Sequence, residues 1–199
     1  MSIKKIFFTA VVAFCLGLTG CSSHGPAATK NDAQQTAVNM IAVLPVQNNA
    51  ADARVSKMLR TKLSDELRFK GYPQVDLDLI DRKLAPLTGT GELKSHDVIP
   101  PKRIEELLGA DAALYCSLME SKTSKKFFYA SVTVSVRCEL LSTKTGETIW
   151  GAQHKATSRS FDVSGKRLEM KALGDLETVT EEVVGKILEK LPYGPKLRS

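Results

Sequence analysis

The sequence is short of the residues that carry most enzyme chemistry. Three histidines and four cysteines occur in 199 residues. There is no HExxH pair, no CxxC and no Gly-x-Ser-x-Gly elbow, so zinc hydrolysis, dithiol redox chemistry and hydrolase-type nucleophilic catalysis lack a sequence signature. Four cysteines are too few for a disulfide-built scaffold. No apolar run approaches the roughly 20 residues that a membrane-spanning helix requires. No internal repeat is visible. What remains is ordinary globular composition, with 43% hydrophobic and 25% charged residues. The chain is long enough to bury a core without staples. The excess of 28 Lys and Arg over 22 Asp and Glu gives +6. Such a balance raises nucleic acid or a membrane surface as a partner.

The N-terminus has the layout of an export signal. Lys4 and Lys5 precede an apolar stretch from Ile6 to Leu18, the length of a signal-peptide core. The run ends in Leu18-Thr19-Gly20-Cys21. Small residues before a cysteine at that place resemble the lipobox of bacterial lipoproteins. The expected chemistry is diacylglyceryl transfer to the Cys21 thiol, cleavage between Gly20 and Cys21, and acylation of the new amine. Two or three acyl chains meet the requirement for stable anchoring, so a covalent lipid on Cys21 is the only group expected on the protein. Ser22 follows Cys21, with no Asp to signal inner-membrane retention, and outer-membrane delivery is the expectation. Residues 22–36 are small, polar and aperiodic, a tether with a coil reach of roughly 20 Å. His24 lies within it as a solvated residue.

With Cys15 lost in the signal and Cys21 consumed by the anchor, Cys116 and Cys138 remain. Both fall on apolar faces of predicted strands. They either pair, as an oxidising compartment permits, or stand as two buried thiols.

Hydrophobic periodicity predicts a mixed α/β domain. Met40–Val46 reads as a buried strand, with Pro45 at its end or on an edge. Val55, Met58, Leu59, Leu63 and Leu67 form the stripe of a helix over 52–70 that Gly71 ends. Val75, Leu77 and Leu79 alternate with Asp76 and Asp78, predicting a strand over 74–80. Residues 81–99 read as a long connection, a candidate lid. Pro101 opens a short helix with Ile104, Leu107 and Leu108 on its apolar face, ended by Gly109. Strands follow at 112–119, 131–141 and 148–156, the last two joined through a Lys144-Thr145-Gly146 turn. A helix over 166–191 carries Leu168, Leu173, Leu176, Val179, Val183 and Ile187, with Gly174 and Gly185 as points of weakness. The order β-α-β-α-β-β-β-α points to a mixed β-sheet with helices packed on it. The organisation expected is signal 1–20, lipidated Cys and tether 21–38, one domain 39–191, and a short basic tail 192–199.

Few residues invite a chemical role. Asp76 and Asp78 with Asp81 offer hard oxygens for a divalent cation, but alternating acids on a strand are more simply its solvated face. Thr88-Gly89-Thr90-Gly91 lacks the Lys-Ser/Thr of a phosphate loop. His96 and His154 are far apart in sequence. Lys122, Lys125 and Lys126 flank Phe127, Phe128 and Tyr129. The plain reading is a solvated hairpin tip leading into a core strand. The sharper one is a contact for a partner or for lipid headgroups, since aromatics are enriched in interface cores and cations suit anionic phosphates. Single-stranded nucleic acid would also suit such a segment, but export argues against it.

Three stretches carry a resemblance to a known family: IAVLPVQNNAAD from Ile41, VIPPKRIEELLGADAALYCSL from Val98, and VTVSVRCELLSTKTGETIWGA from Val132. Pro45, Asn48, Asn49, Gly109, Asp111, Ala112, Gly146, Glu147 and Trp150 are its markers. The chain resembles a family of bacterial lipoproteins typified by a neisserial surface antigen. The resemblance implies a TolB N-terminal-like α/β domain on an outer-membrane lipid anchor. It implies association with a curli-secretion-type lipoprotein, and it carries no catalytic residues. The resulting expectation is a non-enzymatic, periplasm-facing lipoprotein that assembles or stabilises an envelope complex, with such a partner or by self-association. A carrier of lipid, glycan or another small ligand is the first alternative. An envelope enzyme using Asp76, Asp78 and His96 is the second. With the signal and tail set aside, the body keeps little net charge, and the nucleic-acid hint fades.

Overall fold

The computed structural model describes residues 38–48, 53–88 and 99–197, all within the compact unit Gln35–Ser199. Strand β1 (Ile41–Val43) is buried throughout and runs parallel to β3 (Ala112–Lys126), with Ile41 opposite Ala112. Pro45 lacks an amide donor, and the strand breaks around it. The short β2 (Gln47–Asn48) then resumes along the same margin of β3, Gln47 opposite Ser117. Strands β3, β4 (Tyr129–Ser142) and β5 (Thr148–Phe161) form an antiparallel meander, giving the order β1-β3-β4-β5 with β2 also on β3.

The meander is longer than periodicity indicates. Past Leu118 the apolar alternation stops, and the polar run ESKTSKK still pairs all the way to Lys126↔Tyr129. A register shift between Leu118 and Glu120 marks a bulge at Met119. The pairing of β4 with β5 likewise reaches Tyr129↔Phe161. In this half β4 still alternates, burying Ala130, Val132 and Val134, and β3 follows it through backbone hydrogen bonding that its own side chains do not report.

Helix α1 (Ala53–Phe69) buries Val55, Leu59, Leu63 and Leu67 at the expected spacing. Helix α4 (Gly165–Leu188) buries Leu168, Ala172, Leu176, Val179, Val183 and Ile187. It runs unbroken through Gly174 and Gly185, and Leu173 points outward. Both helices cover one face of the sheet, over Leu114, Cys116, Leu118, Val132, Val134, Val136 and Leu140. Lys62 of α1 ties them by ion pairs to Glu181 and Glu177 of α4 at 2.6 and 3.4 Å. On the other face, α2 (Leu77–Thr88) and α3 (Pro101–Leu108) cover only the β1–β3 margin, around Ala42, Leu44, Ile80, Leu84, Ile104 and Ala113. The mixed sheet with packed helices is the architecture expected from sequence.

Two stretches depart from expectation. Residues 81–88, expected to open a long connection and candidate lid over 81–99, are the body of α2, because Leu84 packs in the same apolar row as Ile80; residues 89–98 of that connection lie outside the described residues. Residues 74–80 do not form a strand: only Gln74 bridges Ile41, and the chain then turns into α2. The order is therefore β-β-α-α-α-β-β-β-α. Asp76 decides the matter locally. Its Oδ1 accepts the Leu79 amide at 3.0 Å and its backbone carbonyl accepts that of Ile80 at 3.0 Å, the pattern of a helix N-cap. Leu77, Ile80 and Leu84 are then three and four residues apart on the packed side, while Leu79 is exposed.

The segment after α4 is not a free tail. Lys70 Nζ donates to the Leu191 carbonyl at 2.9 Å, and Tyr72 Oη to that of Pro192 at 2.9 Å. The Gly194 amide donates to the Lys70 carbonyl at 2.7 Å. Gly71, at φ 85°, and Gly194 press backbone to backbone, so a Cβ on Gly194 would lie 2.5 Å from the Gly71 carbonyl carbon. Glycine at both places is what lets the chain end lie against the end of α1.

Candidate functional site

The sequence-predicted residues disperse. Gly20, Cys21, His24, Gly89, Gly91 and His96 lie outside the described residues. Of the three acids, Asp76 is the α2 cap, and Asp78 sits in the first turn of α2, where a carboxylate complements the helix dipole. Asp81 Oδ1 pairs with Arg60 Nη1 at 2.6 Å. Arg60 is 8% exposed and also donates Nε–H to the Val43 carbonyl at 3.2 Å, joining α1, β1 and α2. Among the described residues, no three His, Cys, Asp or Glu side chains converge as a metal site. His154 lies on β5 opposite Val136, apart from all three acids.

Cys116 and Cys138 face each other directly across β3 and β4, with Cα atoms 4.1 Å apart, and are joined as a disulfide. The bridge lies beneath α1 and α4, with both residues buried. Its position gives it a structural role inside the core.

A hollow of about 300 Å³ lies on the sheet face that α2 and α3 leave uncovered, lined by Gln47, Tyr115, Ser117, Met119, Arg137 and Glu139. Its polar groups pair with their neighbours. Arg137 Nη2 meets Glu139 Oε1 at 2.7 Å, and Ser117 Oγ lies 3.1 Å from Gln47 Oε1. The Tyr115 hydroxyl donates to the Ile99 carbonyl at 2.6 Å, and burial pushes its pKa up to about 12. The hollow is open to solvent, unlike the closed apolar cavity a carrier of lipid requires.

The β3–β4 tip brings sequence-predicted residues together. Lys126 and Tyr129 close a two-residue loop made of Phe127 and Phe128. Such loops favour Asn-Gly or Gly, whose backbones accept positive φ. Here Phe127 takes φ 41°, a conformation costing on the order of 1 kcal/mol or more for a bulky residue. Phe127 is 95% exposed and Phe128 60%. The Tyr129 ring packs at 5.2 Å on Phe161, which is itself 68% exposed, and Val163 beyond it is also exposed. The turn into α4 is tied to the tip: the Asp162 amide donates to the Phe128 carbonyl at 3.0 Å, and Lys171 Nζ to that of Phe161 at 3.0 Å. Asp162 is held below the usual carboxylate range by the Ser164 amide and by Lys171. Lys125 reaches Glu169 of α4 at 3.0 Å.

Sequence reasoning missed Phe161, Val163 and the basic start of α4. The available signal was weak: two apolar residues at 161 and 163, outside any helical or strand period. Charge completes the site. Residues 122–131 and 157–171 contain seven Lys and Arg against Asp162 and Glu169, whereas the remaining described residues contain sixteen of each sign. Within the described residues the positive excess is therefore concentrated at this end.

Comparison with curated proteins returns no match. Among solved structures, lipoprotein GNA1162 from Neisseria meningitidis is similar at 20% identity and TM-score 0.55, over 70% of this chain and 96% of that one. Protein CT253 from Chlamydia trachomatis is similar at 16% identity and TM-score 0.51, over 78% of this chain and 96% of that one. The PelC dodecamer from Paraburkholderia phytofirmans gives 16% identity and TM-score 0.50, over 78% of this chain and 89% of that one. At these identities the likeness concerns the fold. No helix among the described residues is long and apolar enough to cross a membrane. The model of the GNA1162-like lipoproteins matches residues 31–190, most of the chain. The chain belongs to the GNA1162-like lipoprotein family.

Proposed function

We propose that this lipoprotein is held in the outer membrane through Cys21, faces the periplasm, and acts without catalysis to assemble or stabilise an envelope complex. The partner is a curli-secretion-type lipoprotein or a second copy of this chain. The observation that carries the reading is the outer edge of β5. This strand has 14 residues and no proline, and among the described residues it pairs only with β4. The opposite margin is managed differently: β1 has three residues, Pro45 interrupts it, and Gln74 bridges its end. A long unpaired edge supports assembly by strand addition.

The test places a photo-crosslinking residue at exposed Gln153 or Thr157 of the full-length protein in cells, with recovery in mild detergent. The expected product is an adduct with a second lipoprotein or a second copy. Recovery of uncrosslinked monomer alone overturns the assembly role. The anchor is tested separately. Cys21→Ala is expected to abolish palmitate labelling and release the protein, and unchanged membrane retention would sink it.

A further inference from the structure

We infer that the β3–β4 tip is a second membrane contact, seating its aromatic apex in an anionic lipid surface. Four observations lead there. First, Phe127 and Phe128 are exposed at the end of the three-stranded meander, and exposed Phe161 and Val163 extend the apolar surface beside them. Second, Phe127 occupies a left-handed turn position for which glycine or asparagine would be cheaper, so turn geometry did not select the residue. Third, Lys122, Lys126, Arg159 and Lys166 lie behind the apex on β3, β5 and the start of α4 as a cationic collar, beside Lys125 and Lys171, which pair with Glu169 and Asp162. Exposed aromatics in front and cations behind match the layering of acyl chains beneath anionic phosphates. Fourth, the charge complement is local, because the other described residues balance.

The tip lies away from the start of the described chain. The Asn39 and Met40 amides donate to Asp111, and Ile41 pairs with Ala112, at the opposite end of β3. The 15 residues of β3 separate the two ends by about 45–50 Å. Contacts at both ends would lay the long axis of the sheet along the membrane. The inference takes its first contact from the proposed Cys21 anchor and is independent of the assembly role, which rests on the β5 edge.

The test uses the full-length protein purified from membranes, with acylation read by intact mass. Phe127→Trp puts an indole at the apex. Trp150, opposite Leu140 and about 40 Å away along the meander, serves as the internal reference. Acylated protein is reconstituted into vesicles with brominated acyl chains, either phosphatidylethanolamine with phosphatidylglycerol or phosphatidylcholine alone. Protein without acyl chains is added to the same preformed vesicles, so failure of the anchor and failure of the tip are separable. In the anionic vesicles the Phe127→Trp protein is expected to show a blue shift and a loss of emission that the wild type does not show. Both should disappear in a Lys125→Glu, Lys126→Glu background, and in 1 M salt, where the Debye length is about 3 Å. Circular dichroism confirms that the variants keep their fold. Emission no more quenched than wild type overturns the inference. So does equal quenching in neutral vesicles, which leaves the collar without a role. A dry apex that crosslinks from position 128 to a protein replaces the lipid surface with a protein partner.

Discussion

At the residue scale, single side chains decide which reading of an ambiguous pattern wins. Asp76 was legible as an acid in an alternating run, and its cap role was not, because a cap is defined by where the next amides point. Asp76→Ala should cost about 1 kcal/mol and lower the melting temperature by about 2–4 °C in a domain of this size. Asp76→Ser should restore most of the loss, and calorimetry reads both. Tyr115 gives a pH signature. Its phenol titrates at about 12 in the folded protein because burial disfavours the anion. The unfolded chain releases that proton near 10, so the folded state holds the extra proton between these values. Stability should therefore fall as pH rises from about 10 to 12. In an ultraviolet titration Tyr115→Phe should remove an ionisation step near pH 12. An unchanged titration curve in Tyr115→Phe would argue against the assignment.

At the element scale, regular burial was readable and irregular contact was not. The stripes of α1 and α4 and the inward row Val132, Val134, Val136, Cys138 and Leu140 follow directly from periodicity, because one face of each element must leave water. The docking of residues 191–197 on the end of α1 has no periodic signature. It depends on two glycines 123 positions apart whose backbones meet. Gly194→Ala forces a Cβ against the Gly71 backbone, and the cheapest relief is release of the chain end. The loss is then limited to the contacts that the end makes. About 1–2 kcal/mol is expected for the hydrogen bonds given up, with a melting temperature lower by about 2–8 °C. Removing residues 192–199 should cost a similar amount, and Gly194→Ala should then have no chain end left to displace. A loss in Gly194→Ala well beyond that of the deletion would show that the strain spreads into α1.

At the scale of the whole molecule, the two faces of the sheet are unequally covered. Helices α1 and α4 bury one face along β3 and β4, whereas α2 and α3 cover only the β1–β3 margin of the other. Strand β4 is hydrogen-bonded on both sides, and Val132, Val134, Val136 and Cys138 are fully buried. Amide exchange should therefore be slowest in β4, and α2 and α3 should exchange through a lower-energy opening. Faster exchange in β4 than in α3 would refute this layering.

The amino-acid sequence alone determines which stretches leave water and where helices begin at proline and end at glycine, and it holds Leu18-Thr19-Gly20-Cys21, a run that resembles a lipobox. Those properties are local, set by patterns within a few residues. It also supplies the family, through the stretches around Ile41, Val98 and Val132. Only the tertiary structure decides that Phe161, paired with Tyr129 across 32 positions, completes the aromatic end begun by Phe127 and Phe128. It also decides that a body of small net charge holds its positive excess at that end. A sum over residues has no direction, and hydrogen-bond register between distant strands is what gives the charge a place.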